Sequence, residues 1–299
     1  MEKIEKLLSV TQFNAERGQQ TLHPLVSVLD QTKSSPVKRY RCMSDIYIVF
    51  LKDLKCEDFQ YGRNKYDYQE ESLLFVGPGQ VIGLQSDENN LIKPVGWALA
   101  FHPDFIKGTS LGRRINEYKF FEYNVNEALH ISERERQIVL DCLRKIYEEL
   151  ERGIDRHSKM LIISNIELFL NYCIRFYERQ FITRETVNKD ILTRFENVLK
   201  GYFESDQPQT TGLPTVAYCA GELGLSANYF GDLIKKETGA SAVEFIHKKV
   251  IDLAKERIFD RSKSIAEIAF EMGYKYPQHF TRFFKQHVGM SPQEYRVAN

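Results

Sequence analysis

A segment near the carboxyl end of this chain occurs twice. Residues 216–241, VAYCAGELGLSANYFGDLIKKETGAS, return as residues 265–291, IAEIAFEMGYKYPQHFTRFFKQHVGMS. Val216, Cys219, Ala220, Leu223 and Gly224 match Ile265, Ile268, Ala269, Met272 and Gly273 at an offset of 49. Phe230, Leu233, Ile234, Gly239 and Ser241 match Phe280, Phe283, Phe284, Gly289 and Ser291 at an offset of 50, so the second copy carries one extra residue in its turn. In each copy apolar residues recur at i, i+3 or i+4 and i+7 on both sides of a glycine, the period of two short helices joined by a tight turn. Gly224 and Gly273 stand where the chain leaves the first helix, a place that calls for a left-handed backbone. Ser226 fits the N-cap of the second helix in copy one, and Pro277 fits the first helical position in copy two. The repeat therefore predicts two helix-turn-helix units, each with a second helix suited to the DNA major groove.

The same periodicity assigns the outward faces. With Phe230, Leu233 and Ile234 inward, Asn228, Gly231, Asp232 and Lys235 line the opposite side of one helix. With Phe280, Phe283 and Phe284 inward, Gln278, Thr281, Arg282 and Lys285 do so on the other, with His279 on the flank. Asn and Gln can pair bidentately with adenine, Arg with guanine, and Thr with a phosphate or a thymine methyl. Between the copies, Val243, Ile246, Val250, Leu253, Ala254 and Ile258 form one helical stripe. A rod of about 28 Å would hold two recognition helices roughly 34 Å apart, giving a footprint of about two helical turns of DNA.

Bulk charge does not announce a nucleic-acid partner. The 299 residues contain 41 Lys+Arg and 41 Asp+Glu, and residues 190–299 hold 14 of each. A local surplus appears over residues 263–296, where Lys263, Lys275, Arg282, Lys285 and Arg296 face Glu267, Glu271 and Glu294. Affinity for DNA would then depend on placed contacts more than on a general positive field.

The second copy and its tail, IAEIAFEMGYKYPQHFTRFFKQHVGMSPQEYR, resemble the signature of the AraC/XylS family of bacterial regulators, over about residues 190–299. The resemblance implies a seven-helix DNA-binding domain that recruits or positions RNA polymerase at promoters. It places Gln278, His279 and Arg282 on the second recognition helix and Asn228, Gly231 and Asp232 on the first. Some members carry an arginine where this chain has Asp232; an aspartate can accept from cytosine N4 but is repelled by phosphates. Ser291, Pro292, Tyr295 and Arg296 look like the family's terminal cap, a structural feature.

Upstream, residues 45–51 (DIYIVFL), 72–77 (SLLFVG) and 95–103 (VGWALAFHP) are β-branched and aromatic, bounded by Gly and Pro, and spaced like an antiparallel sheet or barrel, with Gly77-Pro78-Gly79 as a turn. Val139, Leu143, Ile146 and Leu150, and then Ile162, Ile166, Phe169, Cys173 and Phe176, trace two heptad-like helical seams. The resemblance reads this part as a cupin-like sensing and dimerisation domain. The expected architecture is α+β: a cupin-like β-barrel over about residues 20–125 with a helical dimerisation pair over about 132–181, a polar linker at 183–189, and an all-α domain with two helix-turn-helix units over 190–299. Within that all-α domain, residues 207–214 read as a loop.

Several functions are disfavoured by composition. No run of about 18 apolar residues predicts a membrane span, and the amino terminus lacks the pattern of a secretory signal, so a cytoplasmic protein is expected. The five cysteines are scattered and never spaced as C-x-x-C, which disfavours a disulfide framework or a zinc cage. His23, His102, His130 and His157 stand alone, without the H-x-H spacing of a metal-bearing cupin, and no nucleophile elbow or phosphate-binding glycine loop occurs. No cofactor and no enzymatic turnover are expected. Tyr47, Phe75, Trp97 and Phe101 would line a barrel core or an aromatic pocket for a small-molecule effector, with Arg41 and His102 as polar anchors. The expected function is a homodimeric, effector-controlled, sequence-specific regulator of transcription that binds double-stranded DNA. The alternatives are a cupin-type enzyme or metal-binding domain fused to a DNA-binding tail, and a dimerising module without effector.

Overall fold

The computed structural model describes residues 5–38, 42–52, 60–61, 64–65, 72–82, 91–124, 127–153, 155–183 and 185–298. The chain divides into two compact units, Met1–Thr183 and Arg184–Asn299. The first contains strands β1 (Glu5–Leu7), β2 (Val26–Asp30), β3 (Val37–Lys38), β4 (Cys42–Ser44), β5 (Tyr47–Lys52), β6 (Gln60–Tyr61), β7 (Asn64–Lys65), β8 (Ser72–Val76), β9 (Val81–Ile82), β10 (Leu91–Ile92), β11 (Trp97–Phe101) and β12 (Leu129–His130). Its helices are α1 (Val10–Ala15), α2 (Pro103–Ile106), α3 (Ser110–Arg114), α4 (Glu133–Glu151) and α5 (Ser158–Thr183).

The three expected apolar segments are the centre of an antiparallel sheet ordered β12-β8-β5-β11-β2, with Val49 opposite both Phe75 and Leu99. Side chains alternate across it. Ile48, Leu74, Val76, Ala98 and Ala100 pack with Val10 and Phe13 of α1 on one face. Tyr47, Phe75 and Phe101 meet Phe120, Phe121 and Tyr177 on the other.

A closed barrel is not what forms among the described residues. The edge strands β2 and β12 do not pair with each other, and the remaining strands make a separate three-stranded sheet, β1-β4-β9, and two-stranded pairs. Closure needs a consistent tilt and stagger along every strand, and a two-residue edge such as β12 has too few ladder bonds to carry it on.

The heptad-like seams also resolve differently from a dimer seam. Val139, Leu143, Ile146 and Leu150 of α4 are buried, as are Ile162, Ile166, Phe169, Cys173 and Phe176 of α5, and these two helices pack on one another within the single chain. A 26-residue helix beside a 19-residue one buries its own stripe intramolecularly, so those residues are not available to a second copy.

The second unit is all-helical among the described residues: α6 (Glu185–Glu204), α7 (Gln207–Thr211), α8 (Val216–Glu222), α9 (Ala227–Thr238), α10 (Ala242–Ile258), α11 (Ile265–Glu271), α12 (Pro277–Val288) and α13 (Pro292–Ala298). Helical backbone from Glu185 onward occupies most of the stretch expected as a linker. The stretch expected as a loop contains α7, a single turn that starts at a proline-compatible position and stops at Gly212, φ +90°. The core is aromatic: Phe195 of α6 lies edge-on to Phe230 of α9 at 4.8 Å and 5.0 Å from Phe245 of α10.

Capping explains where these helices start. Ser241 with Glu244, Ser264 with Glu267 and Ser291 with Glu294 exchange reciprocal side-chain-to-backbone hydrogen bonds at the starts of α10, α11 and α13. The backbone N–H of each serine holds its glutamate below the usual carboxylate range. The boxes at α10 and α13 are 50 residues apart, so the duplication extends past the second helix of each copy into the next one. Arg257 Nη2 donates to Phe203 O at 2.8 Å at the end of α6, and Arg296 Nε donates to Ile258 O at 2.6 Å at the end of α10. A cation at the last carbonyls interacts favourably with the negative end of the helix dipole.

Candidate nucleic-acid interface

The two copies fold as the same device. In each, the helix ends at a left-handed glycine, Gly224 at φ +72° and Gly273 at φ +89°. The next residue closes the turn backwards, Leu225 N donating to Ala220 O and Tyr274 N to Ala269 O, both at 2.9 Å. That pattern satisfies carbonyls the helix end would leave open. Cys219, Ala220, Phe230 and Ile234 are buried, and so are their counterparts Ile268, Ala269, Phe280 and Phe284. Each fully buried Phe contributes roughly 2–3 kcal/mol of apolar transfer, which fixes both second helices against their unit.

One inward position differs. Leu233 is fully buried, whereas Phe283 is only half-buried and lies between His247 of α10, at 5.0 Å, and His287, at 4.3 Å. The Phe283 ring lies on the flank of α10, edge-on to His247. Burial, then the nearby His287, lowers the His247 pKa.

The residues expected on the outward faces differ in exposure. Lys235 on α9 is exposed, with Asn228, Gly231 and Asp232 half-buried. On α12, Gln278, His279, Arg282 and Lys285 are exposed and Thr281 is half-buried. Between the units, α10 buries Ala242, Ile246, Val250, Ile251, Ala254 and Ile258, while Val243 is exposed and Leu253 half-buried. Its 17 residues span about 25 Å, slightly less than the expected rod. Lys263 Nζ pairs with Glu271 Oε1 at 2.6 Å, tying the loop after α10 to the end of α11.

A sequence profile of the helix-turn-helix domain family matches residues 219–298, which hold most of both units. The TetD protein of transposon Tn10, from Escherichia coli, is 31% identical over 143 residues, 48% of this chain and 91% of TetD. The chain belongs to the AraC/XylS family. A second relative is YfiF of Bacillus subtilis (strain 168), an uncharacterized HTH-type transcriptional regulator, 22% identical over 79% of this chain and 71% of YfiF. Among solved structures, the C-terminal domain of AraT, a response regulator from Geobacillus stearothermophilus, is 28% identical over 36% of this chain and 85% of that one, with a TM-score of 0.32, too low to define a fold. This AraC/XylS chain is thus a DNA-binding transcription regulator of the AraC type.

In the first unit of this AraC/XylS protein the expected effector residues that are described occupy different settings. Tyr47 is stacked on Phe101 at 4.9 Å and meets Phe121 edge-on at 4.9 Å; burial, then Glu122, raises its pKa. Phe75 is buried against Phe120 at 4.4 Å, so these two rings belong to the packed layer beneath α5. Trp97 shares their face but meets Tyr147 of α4 instead. His102 caps α2, its Nδ1 accepting from Asp104 N at 3.1 Å. Arg41 lies outside the described residues. Among the described residues, no group of three or more His, Cys, Asp or Glu is placed to hold a metal, and no helix is long and apolar enough to cross a membrane.

One exposed residue escaped the sequence reading. Tyr276 opens α12 and packs on His279. The signal was present in the repeat, where Tyr276 replaces Ser226.

Proposed function

We propose that this protein regulates transcription by sequence-specific binding of double-stranded DNA through both helix-turn-helix units, with α12 as the principal base reader. The observation that carries the reading is the exposed series Gln278, His279, Arg282 and Lys285 on a helix whose opposite side is anchored by the buried Phe280 and Phe284. In this reading Arg282 pairs with guanine and Gln278 with adenine, Thr281 and Lys285 meet the backbone, and Asn228, Gly231, Asp232 and Lys235 form the facing ridge of the first unit. RNA polymerase is the partner the family implies.

The proposal includes a cytoplasmic homodimer controlled by a small molecule in the cupin-like first unit. Support for a dimer comes from α5, where Leu161, Leu168 and Ile182, multiples of seven apart, are 43%, 42% and 59% exposed. Arg41, Tyr47, Phe75, Trp97 and His102 remain the effector candidates, with the half-buried Tyr47 and His102 best placed to offer polar atoms. A ligand that binds only the folded state must raise its melting temperature.

Selection from a pool of random duplexes tests the core of the reading. Arg282→Ala is expected to weaken the selected duplex by about 1–3 kcal/mol and relax preference at one base pair, and Lys285→Ala to reduce the salt slope by about one. Recovery of no sequence above random, at any salt, would refute it.

A further inference from the structure

The duplication breaks at the residue that opens each recognition helix. Ser226 caps α9, its Oγ accepting from Tyr229 N at 3.2 Å, whereas its counterpart Tyr276 makes no side-chain cap to α12. The backbone of Tyr276 is extended, φ −130° and ψ 120°, and Pro277 follows at the start of the helix. Its side chain is 48% exposed. The ring meets the His279 imidazole edge-on, centroids 5.4 Å apart and planes at 71°, and the Lys275 ammonium lies 5.8 Å from its centre.

A tyrosine here forgoes a helix-capping hydrogen bond and leaves about half of a large residue in water, both unfavourable to the free protein. Yet it stands at the N-terminal end of the recognition helix, the end whose side chains reach base edges, and it is continuous with the exposed ridge through His279. An aromatic body with a polar tip suits a surface that is buried on one side and meets phosphate on the other.

We propose that Tyr276 is a DNA-contacting and positioning residue of the second unit. Its ring holds the His279 imidazole at the mouth of the major groove, and its hydroxyl donates to a backbone phosphate beside it. The inference rests on the DNA-binding reading above and adds a residue, and a class of contact, to that same site.

The test compares the parent chain with Y276F, Y276S, H279A, the double variant Y276S/H279A and R282A, on the selected duplex and on random duplex, with a melting temperature for each. Y276S restores the cap of the first unit, so it melts at or above the parent temperature while binding the selected duplex about tenfold more weakly. Y276F loses about two- to tenfold on both duplexes alike, because a phosphate contact carries no sequence information. The losses from Y276S and H279A combine less than additively, since the two side chains touch. Parent-like affinity in Y276S, or a loss that only follows a lowered melting temperature, overturns the inference. If that happens while R282A still weakens binding, the DNA-binding reading stands; if the parent prefers no duplex, both fall together.

Discussion

Replacing Gly273 with alanine separates two costs that usually arrive together. Its φ of +89° places any Cβ in the left-handed region, a penalty of roughly 1–2 kcal/mol. The new Cβ would also lie 2.9 Å from Gly212 C, Gly212 O and Pro208 O, three backbone atoms that cannot swing aside. Overpacking of that kind costs typically about 1–3 kcal/mol, so the total is about 2–5 kcal/mol. Gly289 is the matched control, because at φ +87° it carries the same backbone demand with nothing within 4 Å of its Cβ. Gly289→Ala is therefore expected to cost only about 1–2 kcal/mol. For a unit of this size one kcal/mol moves the midpoint by roughly 4 °C. Calorimetry on the full chain should show the transition of the second unit falling by about 4–8 °C in Gly289→Ala and by about 8–20 °C in Gly273→Ala. Equal shifts in the two variants would refute the claim that the second turn is wedged against α7 and the residue that ends it.

Two further outcomes follow from the same unit. Burial pushes the Cys219 thiol up to about 11, leaving roughly one part in a thousand as thiolate at pH 8; iodoacetamide followed by peptide mass mapping should leave Cys219 unmodified until the protein is denatured, and native labelling at the denatured rate would contradict its burial. His247 has a lowered pKa in the fold, caused first by burial and then by His287. The unfolded chain therefore binds that proton more tightly, and the contribution of His247 to stability is complete above the unfolded value of about 6.5 and lost as pH falls below it through the folded value. A melting temperature for the second unit that drops between pH 7.5 and 5.5 in the parent, with a smaller drop in His247→Gln, is the expected result, and equal drops would exclude His247 as the source.

Legibility differed sharply between the halves. Helices α8, α9, α11 and α12 were readable because their spacing, their glycines and Ser226 are local instructions, repeated twice, and each copy checks the other. Two details of that region were not: α7 is a single turn, too short for a periodic pattern, and Phe283 matches Leu233 in the alignment but not in burial. Strands β5, β8 and β11 were visible from composition, yet their assembly into an open sheet was not, since pairing partners lie tens of residues apart. The heptad-like seams of α4 and α5 announced that two stripes would be buried without saying by whom. Tyr47 and Phe75 looked equally suited to a pocket and to a core, and packing by Phe120, Phe121 and Tyr177 is what distinguishes them.

From the order of residues alone one obtains a duplicated bihelical device with polar side chains turned outward, because helix period, capping and left-handed turns act over a few residues and leave their mark in sequence. Which apolar stripes close on their own chain, where a glycine meets another backbone, and which aromatic stays in water depend on contacts between distant segments. Those contacts are selected by shape and volume, which a one-dimensional pattern of polar and apolar residues does not encode.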